Sequence, residues 1–252
     1  MWDDVLAFVG DRLRDHDGSH DVQHALSVAR NADLICSDDN ARRACVLAAL
    51  FHDVCDRKYV DDPDAVCAAI HRFLQAHVSS TEARVVCSAI RWISFTRLRA
   101  EGPPPLGGDE RYVWSVVSDA DMLEAMGLTG VLRTLIYQGR VRRPADQALT
   151  YARLELVRCI EHMTHAVAIV EARRRLSTMD RVIAQMRRAP SGGALRPAAH
   201  LCVEHGRRGT AFNEIVGLLN QKRYFDAFSR AELARERAWQ KTARADESDG
   251  VG

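Results

Sequence analysis

With 252 residues and 47% hydrophobic content, the chain is long enough for one sizeable core and a small appendage. A formal net charge of +1 gives no argument for a nucleic-acid or membrane-surface partner, and 27% charged residues is ordinary for a globular protein. No apolar run is long enough to span a bilayer, and the opening stretch "MWDDVLAFVGDRLRD" lacks the apolar core of a signal peptide. The seven cysteines are odd in number, form no Cys-x-x-Cys pair and sit partly in apolar helical stretches. They read as reduced, mostly buried thiols of an intracellular, cytoplasmic protein.

Helical periodicity dominates, with no internal repeat and no convincing set of strands. "WDDVLAFVGDRL" predicts a first helix, which "DHDGSH" breaks. Ser19 is then the expected N-cap of a second helix beginning near His20, with Ala25, Val28, Ala32 and Ile35 as its apolar stripe. Further helices are expected at roughly 40–55, 63–77 and 80–93, before a loop "RAEGPPPLGGDE" at 99–110. Helical patterning resumes at 111–125, 128–138 and 145–188. "RAPSGGALRP", 188–197, reads as a linker, followed by a shorter helical region over roughly 198–221. The charged end, "RAELARERAWQKTARADESDGVG", reads as a solvated helix fading into disorder.

Polar residues interrupt the apolar stripes at three places. In "ALFHDVC" a histidine and an aspartate, His52 and Asp53, stand side by side in an apolar run. Adjacent helical residues diverge by about 100°, so both can reach one ion beside the helix. His24 lies one turn before Val28, and Asp121 lies one turn after Val117. Imidazole plus carboxylate is a ligand set for a divalent metal with positions left open for water and substrate. A metal also offsets the cost of a buried carboxylate. Against this, a single helical histidine is more often a hydrogen-bonded core residue than a ligand, and spacing does not show that three helices converge.

Three blocks carry a family resemblance: "HALSVA" at 24–29, "AALFHDVCDRKY" at 48–59 and "VVSDADMLEAMGLTGVLRT" at 116–134. In order and spacing they resemble the signature blocks of the HD-domain metal-dependent phosphohydrolases. "GSHDVQH" at 18–24 and "RWISFTR" at 91–97 resemble a subgroup containing small nucleotide pyrophosphohydrolases. The likeness covers roughly residues 1–188, leaving 189–252 as linker, helical extension and charged tail. It implies an all-α HD-domain helical bundle with a C-terminal helical extension.

The resemblance further implies His24, His52, Asp53 and Asp121 as ligands of one divalent ion, manganese first, with iron, cobalt, nickel or magnesium also suited. Asp119 is a candidate behind the ligands, or a carboxylate favoured by a helix N-terminus. Asp56 would position the attacking water or protonate the leaving oxygen, together with Asp53 as the catalytic pair. Lys58 would hold a substrate phosphate, or belong to a surface charge cluster. Arg133 would bind phosphate or pair with a carboxylate, and His20 would contact substrate or serve only in the first turn of its helix.

The implied reaction is hydrolysis of a nucleotide, first a nucleoside triphosphate to monophosphate and pyrophosphate. The alternatives are a nucleoside monophosphatase and a non-catalytic nucleotide-binding module. The partner would be a small-molecule nucleotide, with no membrane or nucleic acid, and a homodimer is compatible. His71 and His77 read as solvated, His162 and His165 as packing residues of a long helix, and "HLCVEH" at 200–205 as no metal site. The arginine runs at 173–175 and 187–188 read as solvated helix face.

Overall fold

The structure is a computed structural model of the chain, and it describes residues 1–187, 195–221, 224–225 and 227–241. Among the described residues the protein is all helical. The elements are α1 (Trp2–Leu13), α2 (Val22–Ile35), α3 (Asp39–Phe51), α4 (Pro63–Gln75), α5 (Ser80–Ile90), α6 (Phe95–Glu101), α7 (Gly108–Glu124), α8 (Gly127–Arg140) and α9 (Ala145–Leu154). A 3-10 turn (Leu156–His162) follows, then α10 (Ala166–Arg187), α11 (Leu195–Arg207), α12 (Phe212–Gln221) and α13 (Ala227–Trp239).

At the centre, α2, α3 and α7 pack on one another. Their buried faces follow the three- and four-residue spacing of the sequence: Ala25, Val28 and Ala32 on α2, Ala44, Leu47 and Phe51 on α3, Val113, Val116 and Val117 on α7. Each fully buried Leu or Phe here contributes about 1.5–3 kcal/mol. Side-chain caps set the entry of several helices: Asp38 for α3, Asp62 followed by Pro63 for α4, Ser79 for α5 and Ser94 for α6.

Several boundaries differ from the sequence expectation. The cap of α2 is Asp21, which accepts from His24 N at 3.1 Å, and not Ser19, whose hydroxyl is spent on Asp17. α3 stops at Phe51, so His52 is its C-terminal cap and Asp53 lies in the turn beyond. The expected loop is shorter, because α6 continues to Glu101 and α7 begins at Gly108. The stretch 145–188 is not one helix: Met163 is extended (φ −74°, ψ 145°), and the Asp119 carboxylate takes the free N–H groups of Thr164 and His165 just before α10.

The C-terminal part is bound tightly to α8. α11 crosses it at close range, since a Cβ on Gly139 would stand 2.2 Å from Val203 O and one on Gly206 would stand 2.1 Å from Ile136 O. α13 also packs on α8 and is no solvated tail. Its Glu236 is buried and accepts from Leu128 N (2.9 Å), Thr129 N (3.2 Å) and the Thr129 hydroxyl, closing the N-terminus of α8. Glu232, also buried, accepts from Thr178 and Arg174. Arg175 is likewise no solvated arginine: it is fully buried, bonded to Glu171 and the Leu123 carbonyl, and 3.6 Å from Glu124. Residues 188–194, most of the expected linker, and 242–252, the end of the expected tail, lie outside the described residues.

Candidate metal centre and pocket

His24 projects from α2, His52 and Asp53 from the end of α3, and Asp121 from α7, so the three packed central helices bring these side chains to one point. His24 Nε2 lies 3.2 Å from Asp121 Oδ1 and 3.4 Å from Asp53 Oδ2. His52 Nε2 lies 3.2 Å from Asp53 Oδ2 and 3.7 Å from Asp121 Oδ1. His24, His52 and Asp121 form a group able to hold a metal ion, with ligand atoms all within 4.8 Å of one another. Asp53 Oδ2 falls outside that triple, yet flanks both imidazole nitrogens.

Proton accounting tests the fit. His52 Nδ1 lies 2.7 Å from the Ala49 carbonyl, which can only accept, so Nδ1 carries the hydrogen. The Nε2 lone pair of neutral His52 then faces carboxylate oxygens, which are themselves acceptors. His52 Nε2 and Asp53 Oδ2 are both buried without a hydrogen-bond partner. Lone pairs converging in this way suit a divalent cation with mixed nitrogen and oxygen donors.

Without an ion, the electrostatics put a proton on His52 where the cation would sit, and leave His24 without one. Burial lowers the pKa of His52, but Asp53 and Asp121 outweigh it and push it up to about 9. Burial raises Asp53, but His52 and the other histidines hold it well below the usual carboxylate range. His24 is pushed down, chiefly by burial, which leaves it neutral as a ligand must be.

This cluster forms the floor of a pocket of about 190 Å³. His20, Asp56, Lys58, Glu124, Arg133 and Gln138 line its polar part, while Ile93, Phe95, Met122, Tyr151 and Leu156 make an apolar wall. Lys58 Nζ lies 3.3 Å from Asp56 Oδ2 and 5.9 Å from the Tyr137 ring centroid. Burial lowers the Lys58 pKa, but Asp56 and Asp53 raise it overall, so the ammonium stays charged.

Arg133 is buried, donates to the Ser19 carbonyl at 3.0 Å and lies under the Phe212 ring at 4.1 Å. It is 3.7 Å from Glu124 and 3.8 Å from Asp21, and its Nε–H has no hydrogen-bond partner. The sequence reading left phosphate and carboxylate open for this arginine, and its buried Nε faces the Glu124 carboxylate.

Asp119 stands apart from the site. It is not among the pocket residues, its carboxylate holds Thr164 N and His165 N, and burial pushes its pKa up to about 6 despite those bonds. It anchors the start of α10, which accords with the helix N-terminus reading that the sequence offered beside a place behind the ligands. Four further histidines have other partners: His77 packs on Phe73, His162 on the pocket residue Phe95, His165 against Ser115 and His205 against Thr210.

The sequence reading missed Asp17, Tyr59, Glu124 and Phe212. Asp17 sits in a glycine-containing break that reads as a turn, and Phe212 lies beyond the resembling blocks. Glu124 carried a signal, being a charged residue one turn past Ala120 on a buried face.

No protein-family model matches the chain, and no curated protein matches it. Among solved structures, it is similar to Bacillus subtilis YpgQ in complex with ADP, with 26% identity and a TM-score of 0.60, covering 74% of this chain and 96% of YpgQ. It is also similar to a Lactobacillus plantarum protein, with 22% identity and a TM-score of 0.58, covering 73% and 93% of the two chains. The fold is thus an all-α, HD-like bundle matching these neighbours over nearly their whole length. About a quarter of this chain lies beyond that likeness. Among the described residues no helix is long and apolar enough to cross a membrane.

Proposed function

We propose that the protein is an HD-type metal-dependent phosphohydrolase acting on nucleotides, with cleavage of a nucleoside triphosphate to monophosphate and pyrophosphate as the leading reaction. The observation that carries this reading is the convergence of His24, His52, Asp53 and Asp121 on the floor of a pocket also lined by Lys58 and Arg133. The ADP bound by YpgQ supports a nucleotide as the substrate class.

His24, His52, Asp53 and Asp121 would hold one divalent ion, manganese in the first instance. When bound, the ion lowers the pKa of a coordinated water and polarises the phosphorus centre. Asp56 lines the same pocket and accepts the proton of the attacking water. Lys58, tethered to Asp56, places its ammonium where charge develops on phosphoryl oxygens. Arg133 lines the same pocket and would add its positive charge to hold a substrate phosphate. The wall of Phe95, Tyr151 and Leu156 gives the base an apolar face and excludes water.

The test is a screen of nucleotides for phosphate and pyrophosphate release by manganese-loaded protein, run beside Asp53→Ala and Asp121→Asn. Manganese-dependent pyrophosphate release that vanishes with the bound metal in both variants is the expected result. Full turnover in Asp53→Ala would remove the ligand assignment. Metal uptake without turnover of any nucleotide would replace the enzyme with a binding module.

A further inference from the structure

The loop between α1 and α2 holds a closed hydrogen-bond network that the proposed chemistry does not use. The Asp17 side chain is fully buried. Its Oδ1 accepts from Ser19 N at 2.8 Å and from the Ser19 hydroxyl, and its Oδ2 accepts from the Tyr59 hydroxyl. The same two hydroxyl oxygens each lie 2.8 Å from His20 Nδ1. His16 stacks on the Tyr59 ring at 4.0 Å and fixes it in place. The nearest further charge is Arg140, 4.0 Å from Asp17 Oδ2.

Counting hydrogens assigns the tautomer. A carboxylate only accepts, so Ser19 and Tyr59 each spend their one hydroxyl hydrogen on Asp17. What remains on both oxygens toward His20 is lone pairs, and Nδ1 must therefore be the donor. Asp17 stays ionised: burial raises its pKa, but the bonds from His20, Ser19 and Tyr59 hold it well below the usual carboxylate range. The Tyr59 hydroxyl keeps its hydrogen, since burial and Asp17 both raise its pKa. His20 lines the pocket, its ring centroid 5.7 Å from those of His24 and Tyr137. With the Nδ1 edge locked to the network, the Nε2 edge is the one left for a ligand.

We propose that Asp17 and Tyr59 are positioning residues which, with Ser19, fix His20 as the Nδ1–H tautomer and present its Nε2 lone pair to the pocket as an acceptor that orients the attacking water, whose proton goes to Asp56. Neither Asp17 nor Tyr59 touches the pocket contents; both act through His20. The catalytic half of this proposal rests on the phosphohydrolase reading, whereas the tautomer does not.

The experiment has two arms. In the first, the full chain carrying Mg2+ and 15N-labelled histidine is examined by long-range 1H–15N NMR above the titration of His20, whose signals are assigned by their loss in His20→Gln. The expected pattern is Nδ1–H in the wild type. In Asp17→Asn the amide donates hydrogens of its own, a hydroxyl is turned toward His20, and the tautomer shifts to Nε2–H. An Nε2–H pattern in the wild type, or no shift in Asp17→Asn, overturns the proposal. If Asp17→Asn does not fold, Tyr59→Phe is measured instead and is expected to raise the Nε2–H population.

In the second arm, Asp17→Asn lowers kcat for nucleotide hydrolysis on the order of 10²-fold with KM within about threefold. A KM change alone would make His20 a binding contact only and remove the catalytic half. A wild type that hydrolyses no nucleotide would sink the phosphohydrolase reading and leave the NMR result to decide the tautomer.

Discussion

His52 Nε2 stands 3.2 Å from Asp53 Oδ2, with the Nδ1 of the same ring committed to the Ala49 carbonyl. One particle belongs between these two atoms, either a proton or a metal ion, and the two compete. Burial opposes the proton, but Asp53 and Asp121 outweigh it and push the His52 pKa up to about 9. Since this folded-state value is raised, the proton stabilises the metal-free fold fully below about pH 6.5, and that contribution is lost as pH rises through about 9.

Metal binding at neutral pH must therefore expel this proton. Titration calorimetry with manganese at pH 7, in two buffers of different ionisation enthalpy, is expected to show about one proton released per ion. The apparent affinity should rise about tenfold per pH unit until it levels near pH 9. Binding with no proton release would mean that His52 is not a ligand.

Arg175 is fully buried between Glu171 and Glu124. Burial raises the Glu171 pKa, but hydrogen bonds from Arg174 and Arg175 outweigh it and lower it overall, so the arginine faces an ionised Glu171. Arg175→Met keeps most of the volume and removes the charge, leaving two buried carboxylates short of a partner. The expected cost is about 3–5 kcal/mol, read as a lower urea midpoint at unchanged slope. Adding Glu171→Gln should recover part of it, and purely additive losses would show that the pair is not coupled.

These residues also show what was legible in the sequence. His24, His52, Asp53 and Asp121 stand out because each breaks an apolar stripe, and the core faces of α2, α3 and α7 follow from the same periodicity. The fold brings those interruptions to one point because the three helices pack directly on one another. Arg175, Glu232 and Glu236 mislead by the same rule. Charged residues read as solvent-facing, yet here they are buried, Arg175 against Glu171, Glu232 against Thr178 and Glu236 on the open N-terminus of α8. Periodicity carries no information on which charge meets which. Nor could it place Asp17, whose importance comes from hydroxyls two residues away and 42 residues away in the chain.

The crossing of α8 and α11 depends on two glycines. A Cβ at Gly206 would lie 2.1 Å from the Ile136 carbonyl oxygen, which is backbone and cannot swing aside. Gly206→Ala should cost about 1–3 kcal/mol by forcing the helices apart. At Gly217, on α12, a Cβ would meet nothing within 4 Å, and Gly217→Ala should instead stabilise by about 0.4–1 kcal/mol. Thermal unfolding of the two variants reads the difference. Equal effects would show that α11 does not sit on α8 at this distance.

Phe212 begins α12 and reaches back to the site, its ring 4.1 Å from the Arg133 guanidinium and its N–H 3.3 Å from Asp21 Oδ2. The loop before it is pressed against the one that carries His20, since a Cβ on Gly18 would lie 2.2 Å from Thr210 O. The C-terminal extension thus forms the back wall behind an arginine that lines the pocket. Phe212→Leu keeps an apolar side chain of similar size and removes the ring face. The cation–π attraction is worth about 0.5–2 kcal/mol, so nucleotide KM is expected to rise about three- to tenfold with kcat nearly unchanged. A double-mutant cycle isolates the route: in an Arg133→Gln background, Phe212→Leu should add little further loss. If the two losses add in full, Phe212 acts on the pocket through the packing of α12 and not through Arg133.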